Sequence, residues 1–201
     1  MYASHKVWRL QNKPLGSAQV LLPRSHLARN HSRLLHYAIM NEQEILHEQA
    51  MILFDRAVRH HLNGELGDAI ELYRRSIAIH PTAEAHTYLG WAYSIFNRYD
   101  EAIAECHKAI TLDPTLGNPY NDIGAYLIEK EAWEEAVPWL EKAARATNYK
   151  TPHYAFVNLG RVYEHLGEAR AALACYRHAQ DLSPLYLPAE WAKNRLLGKL
   201  S

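Results

Sequence analysis

Thirteen histidines are the first residues of this 201-residue chain that invite a chemical role. A metal held on one helix face needs ligands three or four positions apart. No two histidines have that spacing: His60 and His61 are adjacent and diverge around a helix, and His80, His86 and His107 fall in different segments. No metal site is expected. Paired carboxylates can act as acid and base, but Asp100-Glu101 and Glu134-Glu135 stand where helices begin, and negative charge there suits the helix dipole. Cys106 and Cys175 are the only thiols. They form no Cys-x-x-Cys pair, and Cys106 takes an apolar position of a periodic pattern, as a small core residue does. Neither a phosphate-cradling glycine loop nor a Gly-x-Ser-x-Gly turn is present. The expectation is a protein without catalytic residues and without a cofactor.

The elements that would position any site are helices in a repeating order. Alanines in four similar segments, Ala69, Ala102, Ala136 and Ala172, follow one another at 33, 34 and 36 residues. Leu89-Gly90, Ile123-Gly124 and Leu159-Gly160 recur at 34 and 36, and prolines close three units at Pro81, Pro114 and Pro184. Within a unit, apolar residues recur with the period of two amphipathic helices. In the second, Leu89, Tyr93 and Phe96 share one face, and Ala102, Ile103, Cys106, Ala109 and Ile110 share another. Asn97-Arg98-Tyr99-Asp100 between them reads as a turn with a helix start. Gly90 and Ala102 have little or no side chain, which allows two helix backbones to approach closely.

At these residues the chain resembles the tetratricopeptide repeat, a unit of about 34 residues with an aromatic, Leu-Gly, Tyr, Ala, an aromatic and a closing Pro. The last unit carries the pattern most fully, in Phe156, Leu159, Gly160, Tyr163, Ala172, Tyr176, Ala179 and Pro184. In the second, His86 and Cys106 replace the two aromatics. In the third, Asn148 stands where the proline belongs and the spacing lengthens through Thr151-Pro152. The first is degenerate, with Arg56 and His60 at normally apolar positions, as suits a terminal repeat. The resemblance implies an all-α, right-handed solenoid of about 3.5–4 helix-turn-helix units. Their expected spans are about 48–82, 83–116, 117–152 and 153–186 within an array over 41–184. A capping helix over 187–201 would cover its end with Trp191, Ala192 and Leu196, leaving Lys193, Asn194 and Lys199 in water. Pro138, inside the second helix of the third unit, should loosen or kink it.

Residues 1–40 hold six basic residues and no acid, so the remaining 16 bases face all 22 acids, a net of −6. This head is read as a disordered or loosely packed extension. An acid-poor, Arg-bearing start also fits an organellar address, mitochondrial among others, or a ligand folding back onto the acidic body. Apolar runs are as short as Ala50-Met51-Ile52-Leu53-Phe54, so no segment is expected to span a membrane. The two unpaired thiols make a cytoplasmic setting the default.

In similar arrays the first helices of successive units line a concave, peptide-binding face. Carried over residue by residue, that face is Phe54, Val58, Glu84, Thr87, Tyr88, Trp91, Asn121, Asp122, Ala125, Tyr154, Asn158 and Arg161. Aromatics such as Tyr88 and Trp91 supply anchors, and Asn121 and Asn158 can both donate to and accept from a peptide backbone. Glu84, Asp122 and Glu129 stand where a basic clamp for a terminal carboxylate would need positive charge. The expected partner is therefore another protein, presenting a neutral to basic peptide or helix. An acidic body disfavours nucleic acid. The reading is a protein-interaction scaffold, or alternatively an assembly or targeting factor at an organelle or membrane complex. The sequence leaves the oligomeric state open.

Overall fold

In a computed structural model the backbone is described from residue 24 to residue 201, and side chains from residue 38. The described residues form nine helices: α1 (Arg24–Leu62), α2 (Leu66–Ile79), α3 (Ala83–Ile95), α4 (Tyr99–Leu112), α5 (Asn118–Glu129), α6 (Trp133–Arg145), α7 (His153–His165), α8 (Ala169–Leu182) and α9 (Leu187–Leu200). The boundary expected at residue 40 falls inside α1. No glycine or proline separates Pro23 from Gly64, so nothing in that stretch stops a helix. Residues Glu44–Ser201 form one compact unit. The loosely packed extension and the organellar address expected at the start of the chain lie, for residues 1–23, outside the described residues.

Each helix pair is joined by the same three-residue turn. Its middle residue is left-handed, at Gly64, Asn97, Glu131 and Gly167, with φ of 80°, 58°, 61° and 78°. The N–H of the next residue reaches back to a carbonyl five positions earlier: Glu65 to His60, Arg98 to Tyr93, Ala132 to Leu127 and Glu168 to Tyr163. This is the Schellman closure that satisfies the orphan carbonyls of a helix end. It repeats at 33, 34 and 36 residues, the intervals of the alanines. Glycine suits two of these positions and asparagine tolerates a third; Glu131 accepts a conformation that costs a β-carbon about 1–2 kcal/mol.

Packing within each pair follows from one missing side chain. A Cβ placed on Gly124 would lie 2.4 Å from the Leu140 side chain, and one on Gly160 would lie 2.4 Å from the Tyr176 ring. On Gly90 it would lie 3.0 Å from the Ala102 carbonyl oxygen and 3.4 Å from Cys106 Sγ. The residue sixteen positions after the glycine, on the following helix, therefore fills the space that the glycine leaves. In the first pair Ala57 and Tyr73, both fully buried, stand at the same two positions. Where the second unit lacks its aromatics, His86 Nδ1 and Glu105 Oε2 form a buried pair at 2.6 Å, and Lys108 donates to the other Glu105 oxygen at 2.7 Å.

Each helix also packs on the one that follows it into the next pair. The inner helices meet in addition, α3 on α5, α5 on α7 and α7 on α9, whereas the backbones of α4, α6 and α8 stay apart and α4 reaches α6 through the His107 and Trp139 rings, 5.2 Å apart. The result is an all-α solenoid whose first helices line one side. Pro138 does not interrupt α6. It removes a single N–H near the helix start, leaving the rest of the ladder intact.

The cap differs from expectation at Trp191, which is 65% exposed. The buried stripe of α9 is Ala189, Ala192 and Leu196, at steps of three and four, and Trp191 stands one residue off it. Lys199 and Asn194 are exposed as expected, with Lys199 donating to Glu164 at 2.9 Å, whereas Lys193 is half-buried and donates to Gln180 at 2.6 Å. Arg195 and the Tyr176 hydroxyl also donate to Glu164, so one carboxylate fastens the cap to the last pair.

The glycine contacts predict an order of stability. Gly160→Ala should destabilise by about 1–3 kcal/mol through overpacking, because the Tyr176 ring has nowhere to go. Gly90→Ala meets the Ala102 carbonyl oxygen at 3.0 Å, a longer contact, and gains about 1 kcal/mol of helix propensity, so it should lose less than Gly160→Ala. Urea melts of the two variants check this; equal losses would contradict it.

Candidate functional site

The inner side of α3, α5 and α7 holds a recess of about 310 Å³. Thr87, Tyr88 and Trp91 come from α3, Asn118, Asn121 and Asp122 from α5, and Tyr154 from α7. Tyr149 and Thr151 come from the loop between α6 and α7. A second recess of about 370 Å³ continues from it, sharing Thr87, Tyr88, Asn118 and Thr151 and adding Glu84, Leu116, Asn148 and Lys150. Together they make one groove along the middle of the array.

The loop owes its position to the two extra residues of the third unit. Gly117 N–H donates to the Asn148 carbonyl at 2.9 Å, and Asn148 N–H donates to the Thr115 carbonyl at 3.0 Å. This pins residues 146–152 beside the α4–α5 turn. Tyr149 lies directly over Gly117, where a Cβ would come within 2.4 Å of it. Glycine is required there because the ring crosses the backbone.

The twelve expected groove residues divide. Tyr88, Trp91, Thr87, Asn121, Asp122 and Tyr154 line the first recess and Glu84 the second. Phe54 does not face the groove: it is 9% exposed and packs on the rings of Tyr73 at 5.8 Å and Tyr88 at 5.3 Å. It continues the stripe of Ala50 and Ala57, at steps of four and three, which places it in the core. Val58 and Ala125 are half-buried, Val58 against the core. Trp91 is 44% exposed, with its ring 4.5 Å from His61 and 5.8 Å from Tyr88. One neighbour is in the first unit and the groove lies beside it, so the ring both packs on the first unit and lines the groove.

Asn158 and Arg161 line neither recess, and Arg161 borders a separate one with Trp133, Glu164, His165, Arg195 and Lys199. Asn158 donates to Asn121 Oδ1 at 3.1 Å, and Asn121 donates to Asp122 Oδ1 at 3.3 Å. Arg161 pairs with Glu129 at 3.2 Å, so one of the three acids expected in the groove is neutralised outside the two recesses. The Thr87 hydroxyl donates to the Ala83 carbonyl at 2.7 Å. Asp122 is different. Among the described residues no Lys, Arg or His forms an ion pair with it, and burial pushes its carboxyl up from 3.8 to about 7, against the pull of the Asn121 hydrogen bond. Its charge in turn raises Tyr126 and Tyr149 further than burial alone.

Other candidate chemistry falls away from the groove. Cys106 is fully buried and burial drives its thiol well above the ordinary value, the opposite of what a nucleophile needs. The ligand atoms of His60, Glu65 and Asp68 lie within 4.8 Å of one another across the α1–α2 turn, with His60 Nδ1 already 2.5 Å from Glu65 Oε2. Spacing along one helix does not reveal a grouping that spans a turn. Leu116, Asn118, Asn148 and Lys150 line the groove without being among the twelve expected residues, and so do Tyr149 and Thr151 of the inserted loop. The loop's signal was the 36-residue interval and the missing proline at Asn148.

Sequence models of the tetratricopeptide repeat match residues 83–116 and 153–184, which contain the α3–α4 and α7–α8 pairs. These two segments are tetratricopeptide repeats. Among curated proteins, the Protein SGT1 homolog of Oryza sativa subsp. japonica is 38% identical over 74 residues, covering 36% of this chain and 20% of that one. The chain thus spans about a fifth of that relative's length. Among solved structures, Pseudomonas aeruginosa PilF superposes with a TM-score of 0.71 at 22% identity, over 78% of this chain and 70% of that chain. MamA does so at 0.62 and 23%, over 74% and 81%. The Arabidopsis OM64 tetratricopeptide domain gives 0.52 at 25%, over 57% and 93%. These likenesses are to the fold. Such repeats build protein-interaction scaffolds that are typically non-catalytic, and no described helix is long and apolar enough to cross a membrane.

Asp122 predicts how stability depends on pH. With the folded value above the unfolded one, the folded chain keeps a proton that the unfolded chain has released. Stability therefore falls as pH rises from about 4 through 7. Asp122→Asn should match wild type near pH 4 and exceed it at pH 8 by about 1–2 kcal/mol, once screening at its solvent edge is allowed for. Burial lowers the His61 value, and this acts below about pH 6.5 in both proteins, so it cancels in the difference. Thermal melts across pH 4–8 check the prediction; a pH-independent gap would contradict it.

Proposed function

We propose that the chain recruits a protein partner by holding a neutral to basic segment, an extended peptide or a helix, in the groove of α3, α5 and α7. The observation that carries this reading is the pair of joined recesses. They offer two exposed or half-buried aromatics, Trp91 and Tyr88, amides at Asn118 and Asn121, the second held by Asn158 from beside the recess, and a carboxylate with no cation beside it. Aromatics in a concave surface give binding energy. The amides give directional hydrogen bonds to a main chain, and the unpaired acid selects against negative charge in the ligand.

The repeat architecture supports a protein partner as the class of ligand, and the charge of the groove supports its sign. Glu84 faces the second recess together with Lys150, so charge there is balanced. The excess negative charge sits at Asp122. A terminal carboxylate would meet that acid without a basic group to offset it.

Affinity purification of the full chain, repeated with Trp91→Ala and Asn158→Ala, tests the reading. Partners that engage the groove should drop by about tenfold or more with Trp91→Ala, as for an aromatic hot spot, and to a lesser degree with Asn158→Ala. Partners that survive both changes undiminished would place the binding surface elsewhere.

A further inference from the structure

The first recess has a composition that the groove reading alone does not explain. Its walls are the rings of Tyr88, Trp91, Tyr149 and Tyr154, and the Asp122 carboxylate stands among them. Tyr88 and Trp91 are 5.8 Å apart and inclined at 64°, while Tyr154 is held by Tyr186 at 5.2 Å and 87°. Tyr149 is fixed over Gly117 by the loop pairing. The walls are thus set by packing rather than by a ligand.

Aromatic faces attract cations, and a carboxylate with spare lone pairs demands donors. Asn121 supplies one long hydrogen bond to Asp122, which leaves most of its acceptor capacity free. We propose that this recess reads the guanidinium of an arginine side chain in the groove-bound segment, the flat group lying against the rings while its N–H groups donate to Asp122. This rests on the groove reading given above. Arginine fits better than lysine because its planar fork can stack and donate in two directions at once, whereas an ammonium is compact and strongly hydrated. A trimethylated lysine would meet the rings but bring no donor for the carboxylate.

Proton release should accompany binding. The groups facing Asp122 are Asn121 and Tyr126 on α5, Cys106 on α4, Tyr149 from the loop, and Tyr154 on α7 beyond it. None of these is cationic, and burial raises the Tyr126, Tyr149 and Cys106 values, so all three stay neutral at working pH. The arriving guanidinium is then the positive charge that lets Asp122 ionise. Glu84 and Lys150 belong to the adjoining recess.

The test uses the full chain, labelled with nitrogen-15, and short neutral peptides of alanine, serine and glycine that carry one central arginine, citrulline, lysine or trimethyl-lysine. Shifts of the Trp91 indole N–H, assigned with Trp91→Phe, report occupancy. At pH 8 the arginine peptide should bind about tenfold or more tightly than its neutral isostere, citrulline, the margin of a charge-assisted hydrogen bond, and more tightly than either lysine form. Its affinity should fall about fivefold or more from pH 8 to pH 6 as Asp122 takes up a proton. Asp122→Asn, checked for a wild-type spectrum elsewhere, should erase the arginine preference.

Equal binding of arginine and citrulline by the wild-type protein would overturn the inference, with no variant needed. So would an arginine preference that survives Asp122→Asn, or a lysine form that binds as well. Groove shifts that fail to distinguish the peptides would remove arginine recognition and leave the groove reading standing; no shift of any groove resonance would count against both.

Discussion

A missing β-carbon is what the stacking of this protein depends on. At Gly90, Gly124 and Gly160 the inner helix presents bare backbone, and the side chain sixteen residues later fills the gap from the outer helix. Close approach of the two helices fixes the angle of each pair, and the left-handed turn at Asn97, Glu131 or Gly167 closes it. Because the pairs are set in nearly the same way, the inner helices pack closely on one another while the outer backbones stay apart and meet through side chains such as His107 and Trp139. The groove exists because of that difference.

Variation in the gap-filling residue shows how the array tolerates drift. Tyr73, Cys106, Leu140 and Tyr176 differ widely in volume, yet each is fully buried. Where Cys106 is too small to replace an aromatic, the helices close until the Ala102 carbonyl touches the glycine position, and the His86–Glu105 pair fills the remaining polar space. The first pair reverses the balance, giving up glycine for Ala57 and keeping the large Tyr73.

Most of this was legible in the sequence because packing imposed its interval on the residues that make it. The alanines, the Leu-Gly pairs and the turn positions all repeat at 33 or 34 and then 36 residues. What the interval could not convey was the direction of a side chain near the edge of a stripe. Phe54 and Trp191 were misplaced for that reason: the first sits on the core line of Ala50 and Ala57, the second one step off the line of Ala189 and Ala192. Tyr149 was missed for a different one. Its place depends on a main-chain pairing between two loops, Gly117 with Asn148, and such pairing leaves no periodic trace. The 36-residue interval marked where something was inserted, and only the fold shows that the insertion turns into the groove.

The groove therefore combines a regular surface with one irregular feature. Inner helices provide Tyr88, Trp91, Asn121 and Asp122 at repeat positions, and the inserted loop adds the ring that converts an open face into a recess. An acid enclosed in this way, without a cation of its own, makes the ligand the natural source of positive charge. Display of a random peptide library against the full chain and against Asp122→Asn tests that claim most directly. The account predicts arginine enriched at one position of the sequences selected by the wild-type protein, and lost from those selected by the variant. Selected sequences without arginine, or the same sequences from both proteins, would contradict it.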